Sequence, residues 1–415
     1  MGPAVVRVHT AAGGAGGPPG PRRAAGGRDA ADLCAIGPDA WIVYDDETGL
    51  IVSAGQGGAL PDDCERIDAR GGMVLPSFCD SHTHIVYAGS REREFLDKIR
   101  GASYEEIAAN GGGILNSSDR VATASEDELY AQAKSRLDEM IAKGTGAIEI
   151  KSGYGLSLES ELKMLRVIAR LKESTRAIVR STFLGAHAVG RAYAGRQADY
   201  VNLIIDEMLP AVAAEGLADF VDVFCDRGFF TVDETDRILE AAARYGMRPK
   251  IHANELDNSG GVQVGIKHGA LSVDHLERAG EAEVAALAAS STIPTALPGA
   301  SFFLNMPYAL GRKMIDAGLP MALASDYNPG SSPSGDMRFV MALACIKMRL
   351  TPAEAFTCAT LNGAHAMGVA DMTATLAPGM AANLIVTKPL SSFEFIPYAY
   401  TTPFIERHIV GGRAV

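Results

Sequence analysis

Several things are scarce or missing in this 415-residue chain, and most of these absences exclude something. There is a single tryptophan, and aromatic residues make up only 7%. Positive charge is short as well. Thirty-eight Lys and Arg stand against 50 Asp and Glu, for a formal net charge of −12 and a pI near 5.3. Nucleic-acid binding normally needs a basic face, so no such partner is expected. No uninterrupted apolar run approaches the roughly 18 residues that span a bilayer, so no membrane partner is expected either. The six cysteines (Cys34, Cys64, Cys79, Cys225, Cys345 and Cys358) include no C-x-x-C pair. Scattered in this way, they read as reduced cysteines of a cytoplasmic protein.

What is present is the material of a large globular core. Hydrophobic residues make up 47% and charged residues 21%, which excludes disorder over most of the length. Residues 10–28 are the exception: rich in glycine and proline, they carry Arg22, Arg23 and Arg28 and no acid. A targeting peptide would also be rich in Arg and poor in acids, but serine, an amphipathic pattern and an apolar core are all missing. A mobile loop between two strands, over about residues 10–30, is the expectation. Around it, Val5–Val8, Trp41–Tyr44 and Leu50–Ala54 have strand character, with Asp46-Glu47-Thr48-Gly49 as a turn. Asn383–Thr387 and Ile405–Val410 repeat that character at the other end.

Between these ends, short apolar runs alternate with amphipathic helices. Ser125-x-x-Glu128 is a capping box, followed by Leu129, Ala133, Leu137 and Ile141 at helical spacing, with Gly144 as a stop. Thr231-x-x-Glu234 opens a second helix that ends at Gly246. Thr351-Pro352-x-Glu354 opens a third, with proline at the first helical position. Eight strand-like runs start near Met73, Ala147, Ile178, Phe220, Arg248, Leu271, Ile293 and Pro320. Eight strands alternating with helices predict an α/β fold, a (β/α)8 TIM-like barrel. The first strand has no G-x-G-x-x-G after it to support a doubly wound open sheet.

Barrel enzymes carry their chemistry where strands end. The runs end in Asp80-Ser81-His82-Thr83-His84, Lys151-Ser152-Gly153-Tyr154, Gly185-Ala186-His187, His252 followed by Glu255, Asp274-His275, and Ser325-Asp326-Tyr327-Asn328. Five of the nine histidines fall at such ends, a concentration that points to a metal. His82 and His84, two apart on an extended segment, face the same way. Imidazole suits zinc or iron, and a carboxylate such as Asp326 completes a site with one position open. Asp326 could also accept and pass on a proton, and His275 could polarise a carbonyl or relay a proton. Glu255 could hold a ring N–H or act as the base; the sequence does not separate these roles. Arg91 offers a fork that matches a carboxylate, or pairs with Glu92 or Glu94. Tyr104 and Tyr154 could equally be core residues, and His187 could support a metal ligand from behind. The turn formers Asn328-Pro329-Gly330-Ser331, directly after Asp326, would let backbone groups approach a bound carboxylate closely.

The run Pro76-Ser77-Phe78-Cys79-Asp80-Ser81-His82-Thr83-His84 resembles the opening metal motif of the amidohydrolase superfamily. Ile107–Leu115, Glu149–Leu156, Thr182–Val189, His252–Gly261 and Ser325–Pro333 are similar to one branch of it, the imidazolonepropionase family of histidine degradation. The resemblance runs from about residue 73 to the C-terminus and leaves the glycine-rich segment unexplained. It implies a metal-dependent barrel over 73–375, flanked by a β-sandwich from 1–72 and 376–415. It also implies hydrolysis of the small molecule 4-imidazolone-5-propanoate to N-formimino-L-glutamate, a homodimer, and one divalent metal per chain, zinc or iron. By motif position, the ligands would be His82, His84, His252 and Asp326. The catalytic groups would be Asp326, His275 and Glu255. Substrate contacts would come from Arg91, Tyr104, Tyr154, His187, Glu255, Asn328, Gly330 and Ser331.

Binuclear amidohydrolases carry a modified lysine at the end of the fourth strand. Here that strand ends Val223-Phe224-Cys225-Asp226, so one metal is expected, and Lys151 is expected to support the loop that carries Tyr154. Two other functions remain open to the sequence. One is a heterocycle aminohydrolase of the cytosine- or guanine-deaminase kind, which would need groups for a base edge. The other is a noncatalytic amidohydrolase-like scaffold, which would have lost ligands that are all present here.

Overall fold

The computed structural model describes residues 4–8, 10–11, 40–57, 65–101 and 112–415. The expected loop over residues 10–30, Cys34, Cys64 and Tyr104 lie outside these, apart from Thr10 and Ala11. Three sheets form. The first joins β1 (Ala4–Val8), β3 (Ala40–Tyr44), β4 (Ile51–Gln56) and β5 (Glu65–Asp68) in the order β4-β3-β1-β5. The second is built from β2 (Thr10–Ala11), β6 (Met73–Pro76), β15 (Leu384–Thr387), β16 (Ile405–Val410) and β17 (Arg413–Ala414) in the order β17-β16-β15-β6-β2. Ile42 and Ile51 from the first sheet pack with Val74, Leu384, Val386 and Ile409 from the second in one apolar core. Both chain ends therefore build a β-sandwich, as their alternating patterns suggest.

The third sheet is the barrel. Its strands β7 (Phe78–Thr83), β8 (Thr145–Lys151), β9 (Ile178–Ala186), β10 (Phe220–Cys225), β11 (Arg248–Ala253), β12 (Ser272–His275), β13 (Ile293–Ala296) and β14 (Ala322–Leu323) follow in chain order and are all parallel. The ring closes between the first and last strands: Asp326 N donates to His82 O at 3.0 Å and His84 N to Tyr327 O at 2.9 Å. All three capping boxes form as the sequence suggests, opening helices Glu126–Ala142, Val232–Ala243 and Pro352–Ala359.

One strand start needs correcting. The run from Met73 to His84 is two strands, not one. Met73–Pro76 pairs antiparallel with β15 in the sandwich, and only from Phe78 does the chain pair with β8 in the barrel. Ser77 is the switch, with its N–H on Asn383 O at 3.0 Å and its hydroxyl 2.8 Å from His408 Nε2. Both halves are buried almost throughout, and Ser77 between them is buried too, so no exposed residue interrupts the run to mark the change of sheet.

Candidate metal centre and active site

His82 and His84 project from the end of β7 and His252 from β11, and their Nε2 atoms converge. His82 Nε2 lies 3.1 Å from His84 Nε2, and His252 Nε2 lies 3.4 Å from the same atom. Asp326 Oδ1 is 3.6 Å from both His82 and His84 Nε2. Four donor atoms each about 2.0–2.1 Å from one ion would stand about 3.3–3.5 Å apart; these four spacings bracket that range, with His82, His84 and His252 forming one triad of possible ligands and His82, His275 and Asp326 a second. The donors are also oriented for it. His82 Nδ1–H donates to Asp274 Oδ2 at 2.7 Å and His252 Nδ1–H to Asp222 Oδ1 at 3.0 Å, so each ring turns its lone pair toward the other ligands. Lone pairs facing one another at this distance repel unless a cation sits between them. Burial, helped by the Lys151 ammonium at His82 and by His187 at His84, holds both pKa values well below the usual range, which keeps the rings neutral as ligation requires. The residues present fit a divalent metal.

His275 and Glu255 stand beside this cluster. His275 Nε2 is 3.5 Å from Glu255 Oε2, and Nδ1 is 3.4 Å from Glu277 Oε1. Burial pushes the Glu255 carboxyl up to about 8. His275 moves up too: burial opposes its charge, but the carboxylates of Glu255 and Glu277 outweigh that. Two groups displaced this way and in contact with each other are candidates to handle protons. Asp326 divides its oxygens: Oδ1 faces His82 and His84, while Oδ2 accepts from Ser331 Oγ at 3.0 Å. Burial also raises its pKa. His275 (φ 83°), Asn254 (φ 56°) and Asp326 (φ 54°) occupy the left-handed region, strain of a kind that concentrates where a side chain must be aimed.

The other expected residues are brought in unequally. His187 stacks on His84 with centroids 5.3 Å apart, and its Nδ1–H donates to Gly153 O at 2.9 Å. Tyr154 is buried with its ring 5.3 Å from that of His187. Arg91 is half-buried, and its Nε and Nη2 both donate to Glu94 Oε2, at 2.8 and 2.5 Å. Its Nη1 lies against Gly330, where an added Cβ would come within 2.2 Å of it, so Arg91 does reach the loop after Asp326. Asn328 does not offer its side chain. Its amide donates to Asp326 O and Ser331 Oγ, and its Oδ1 accepts from Gly330 N and Ser331 N at 2.7 and 2.8 Å. It holds the loop in shape. The expected role of Lys151 also changes. Its ammonium is fully buried and bonds Glu149 Oε1 at 2.6 Å and Asp222 Oδ2 at 2.8 Å, beneath the metal cluster and away from the Tyr154 loop.

Comparison with known proteins now decides the lineage. The amidohydrolase family pattern matches residues 73–413. The chain is 51% identical over 391 residues to the imidazolonepropionase of Flavobacterium johnsoniae, covering 94% of each. It is 45% identical over 387 residues to that of Geobacillus kaustophilus, covering 90% of this chain and 89% of the other. The chain belongs to the imidazolonepropionase family of amidohydrolases. Among solved structures, a zinc-bound adenosine deaminase from Xanthomonas campestris superposes with a TM-score of 0.70 at 13% identity, over 99% of this chain and 92% of that one. A mutant atrazine chlorohydrolase from Arthrobacter aurescens with zinc and atraton gives 0.73 at 15% identity, over 99% and 94%. At these identities the likeness is one of fold.

Several residues of this imidazolonepropionase-family site escaped the sequence analysis. Asp222 and Asp274 orient the rings of His252 and His82, and Glu277 faces His275. Asp226 organises the Glu255 loop, accepting from Glu255 N, Leu256 N and Asp257 N at 2.8–3.1 Å. One signal was available: Glu149, Lys151, Asp222, Lys250 and Asp274 are charges inside otherwise apolar strand runs, which burial tolerates only when they are paired.

Proposed function

We propose that the chain hydrolyses the cyclic amide of 4-imidazolone-5-propanoate to N-formimino-L-glutamate. The convergence of three imidazole Nε2 atoms and one carboxylate oxygen at the barrel's C-terminal end carries this proposal, and the imidazolonepropionase relatives supply the substrate. His82, His84, His252 and Asp326 would hold one zinc or iron ion per chain. Bound there, it would polarise the ring carbonyl and acidify a water. Support for a single metal comes from the fourth strand, which ends in Cys225 and Asp226. Lys151 is held as an ammonium by surrounding carboxylates and so is a poor substrate for carbamate formation.

The reaction adds water oxygen to the ring carbonyl carbon, breaks the carbon–nitrogen bond and puts a proton on the departing nitrogen. Asp326, with Oδ1 toward the ligand cluster, takes the water's proton and delivers it to that nitrogen. His275, charged beside Glu255, donates toward the carbonyl oxygen where negative charge develops. Glu255 accepts a ring N–H. Arg91 and the backbone of Gly330 and Ser331 take the propionate, with Asn328 shaping that loop, and Tyr154 and His187 wall the ring. Family resemblance further suggests a cytoplasmic homodimer. Among the described residues no helix is long and apolar enough to cross a membrane.

The test joins metal and substrate. Purified protein is analysed for metal and then mixed with fresh 4-imidazolone-5-propanoate, following loss of ultraviolet absorbance with and without chelator. Rapid, chelator-sensitive loss is expected. Bound metal without turnover would move the substrate to another cyclic amide or an aminoheterocycle.

A further inference from the structure

Beneath the histidine cluster, five ionisable side chains are fully buried on four strands: Glu149 and Lys151 on β8, Asp222 on β10, Lys250 on β11 and Asp274 on β12. Their contacts follow a pattern. Lys151 Nζ donates to Glu149 Oε1 at 2.6 Å and Asp222 Oδ2 at 2.8 Å, and stands 3.7 Å from Asp274 Oδ2. Lys250 Nζ donates to Glu149 Oε2 and to Ser81 O at 2.9 Å, and is also 3.7 Å from Asp274 Oδ2. Each aspartate thus bridges a lysine and a histidine. Asp222 gives Oδ2 to Lys151 and Oδ1 to His252 Nδ1; Asp274 Oδ2 accepts from His82 Nδ1 and faces both ammonium groups. Glu149, placed between the lysines, ties the two halves together.

Such a floor is a poor stability device. Desolvating five charges costs more than apolar packing of the same volume, and charge pairs of this kind are replaceable by hydrophobic groups with no loss of stability. What apolar packing would lose is direction. Asp222 turns Oδ1 to His252, accepting from its Nδ1 at 3.0 Å and its backbone N–H at 3.1 Å, and Oδ2 to the ammonium, so its plane, and with it the azimuth of the His252 ring, is fixed from both sides.

We propose that Lys151 is a positioning residue of the metal centre, whose ammonium clamps Asp222 so that His252 presents Nε2 to the ion. The proposal rests on the metal-site reading above. A polar network whose members are all satisfied gives a defined orientation, and outer partners of ligand histidines typically govern metal affinity by about 10–100-fold.

The experiment measures zinc affinity of metal-free protein by competition with a chromogenic chelator at one fixed pH, alongside the thermal midpoint of the metal-free form. Lys151→Met should bind zinc about 10–100-fold more weakly than the unaltered chain. Because a lone deletion leaves three carboxylates facing one ammonium and could unfold the barrel, Lys151→Met/Glu149→Gln removes one charge of each sign and keeps the balance. In that pair the thermal midpoint should recover while zinc binding stays weak, since Asp222 has still lost its clamp. Zinc affinity within twofold of the unaltered chain, in either folded variant, would reduce Lys151 to charge balance and overturn the proposal. If the unaltered chain itself binds no zinc, it is the metal reading that fails, and the proposal falls with it.

Discussion

The sandwich and the barrel axis are buried to the same degree and filled with opposite chemistry. Ile42, Val74, Leu384, Val386 and Ile409 fill the sandwich with aliphatic side chains. At the axis, Glu149, Lys151, Asp222, Lys250 and Asp274 are equally inaccessible, and every one is an ionisable group held by another. An apolar core gains from burial and tolerates small errors of angle. A charged core loses solvation and is retained where angle matters. The difference separates the part of the molecule that contributes stability from the part that spends it.

The sharpest way to break this contrast is to alter one group in each core and see which property moves. At the axis, Asp326→Ala should lower turnover by about 10³–10⁴-fold, because on the proposed mechanism it removes both a ligand oxygen and the proton carrier, while circular dichroism and the unfolding midpoint stay close to those of the unaltered protein. Retained activity would remove Asp326 from the chemistry. In the sandwich, Leu384→Ala should do the reverse. Deleting a fully buried aliphatic side chain costs about 2–5 kcal/mol, visible in denaturant unfolding, yet kcat/KM of the folded fraction should not change. A loss of activity matching the loss of stability would show that the sandwich shapes the site as well as supporting the fold.

At the seam between the two regions, His408 on β16 takes the Ser77 hydroxyl at Nε2 and donates from Nδ1 to Ile141 O at 2.6 Å. Burial pushes its pKa down from 6.5 to about 4. The unfolded chain therefore takes up a proton near pH 6.5 that the folded one refuses until about pH 4. Stability is full above the unfolded value and is lost as pH falls toward 4, by roughly 3 kcal/mol from this one group. His408→Gln should show that much less acid sensitivity between pH 7 and 4 in equilibrium unfolding. Identical profiles would mean the seam does not depend on a neutral His408.

The same contrast explains what was legible in the sequence. Capping boxes at Ser125, Thr231 and Thr351 are local, and all three form. The strand-end histidines were legible because residue type and barrel geometry together restrict where they can point. The change of sheet at Ser77 left no mark, since both environments bury the chain. The contact of Lys151 with Asp222 was out of reach for another reason: Asp222 lies 71 residues away, two strands over in the sheet, and only the assembled barrel makes them neighbours. Asn328 was expected as a substrate contact, and the sequence could not reveal that its own loop uses its amide.

Arg91 provides the finest discrimination, because it is an ion pair of the stability kind set at the mouth of the catalytic core. Two of its guanidinium nitrogens are on Glu94, and Nη1 alone is turned toward Gly330. If Nη1 takes the propionate equally in ground and transition states, Arg91→Ala should raise KM by roughly 10–100-fold, the worth of a charge-assisted contact, with kcat nearly unchanged. Glu94→Gln supplies the other half of the test. It leaves the cation but slackens its anchor, so KM should rise by less. An Arg91 that serves only its partner predicts a different pair of results: both variants lose stability and neither moves KM. Steady-state kinetics on the two variants, with unfolding midpoints beside them, separates the cases.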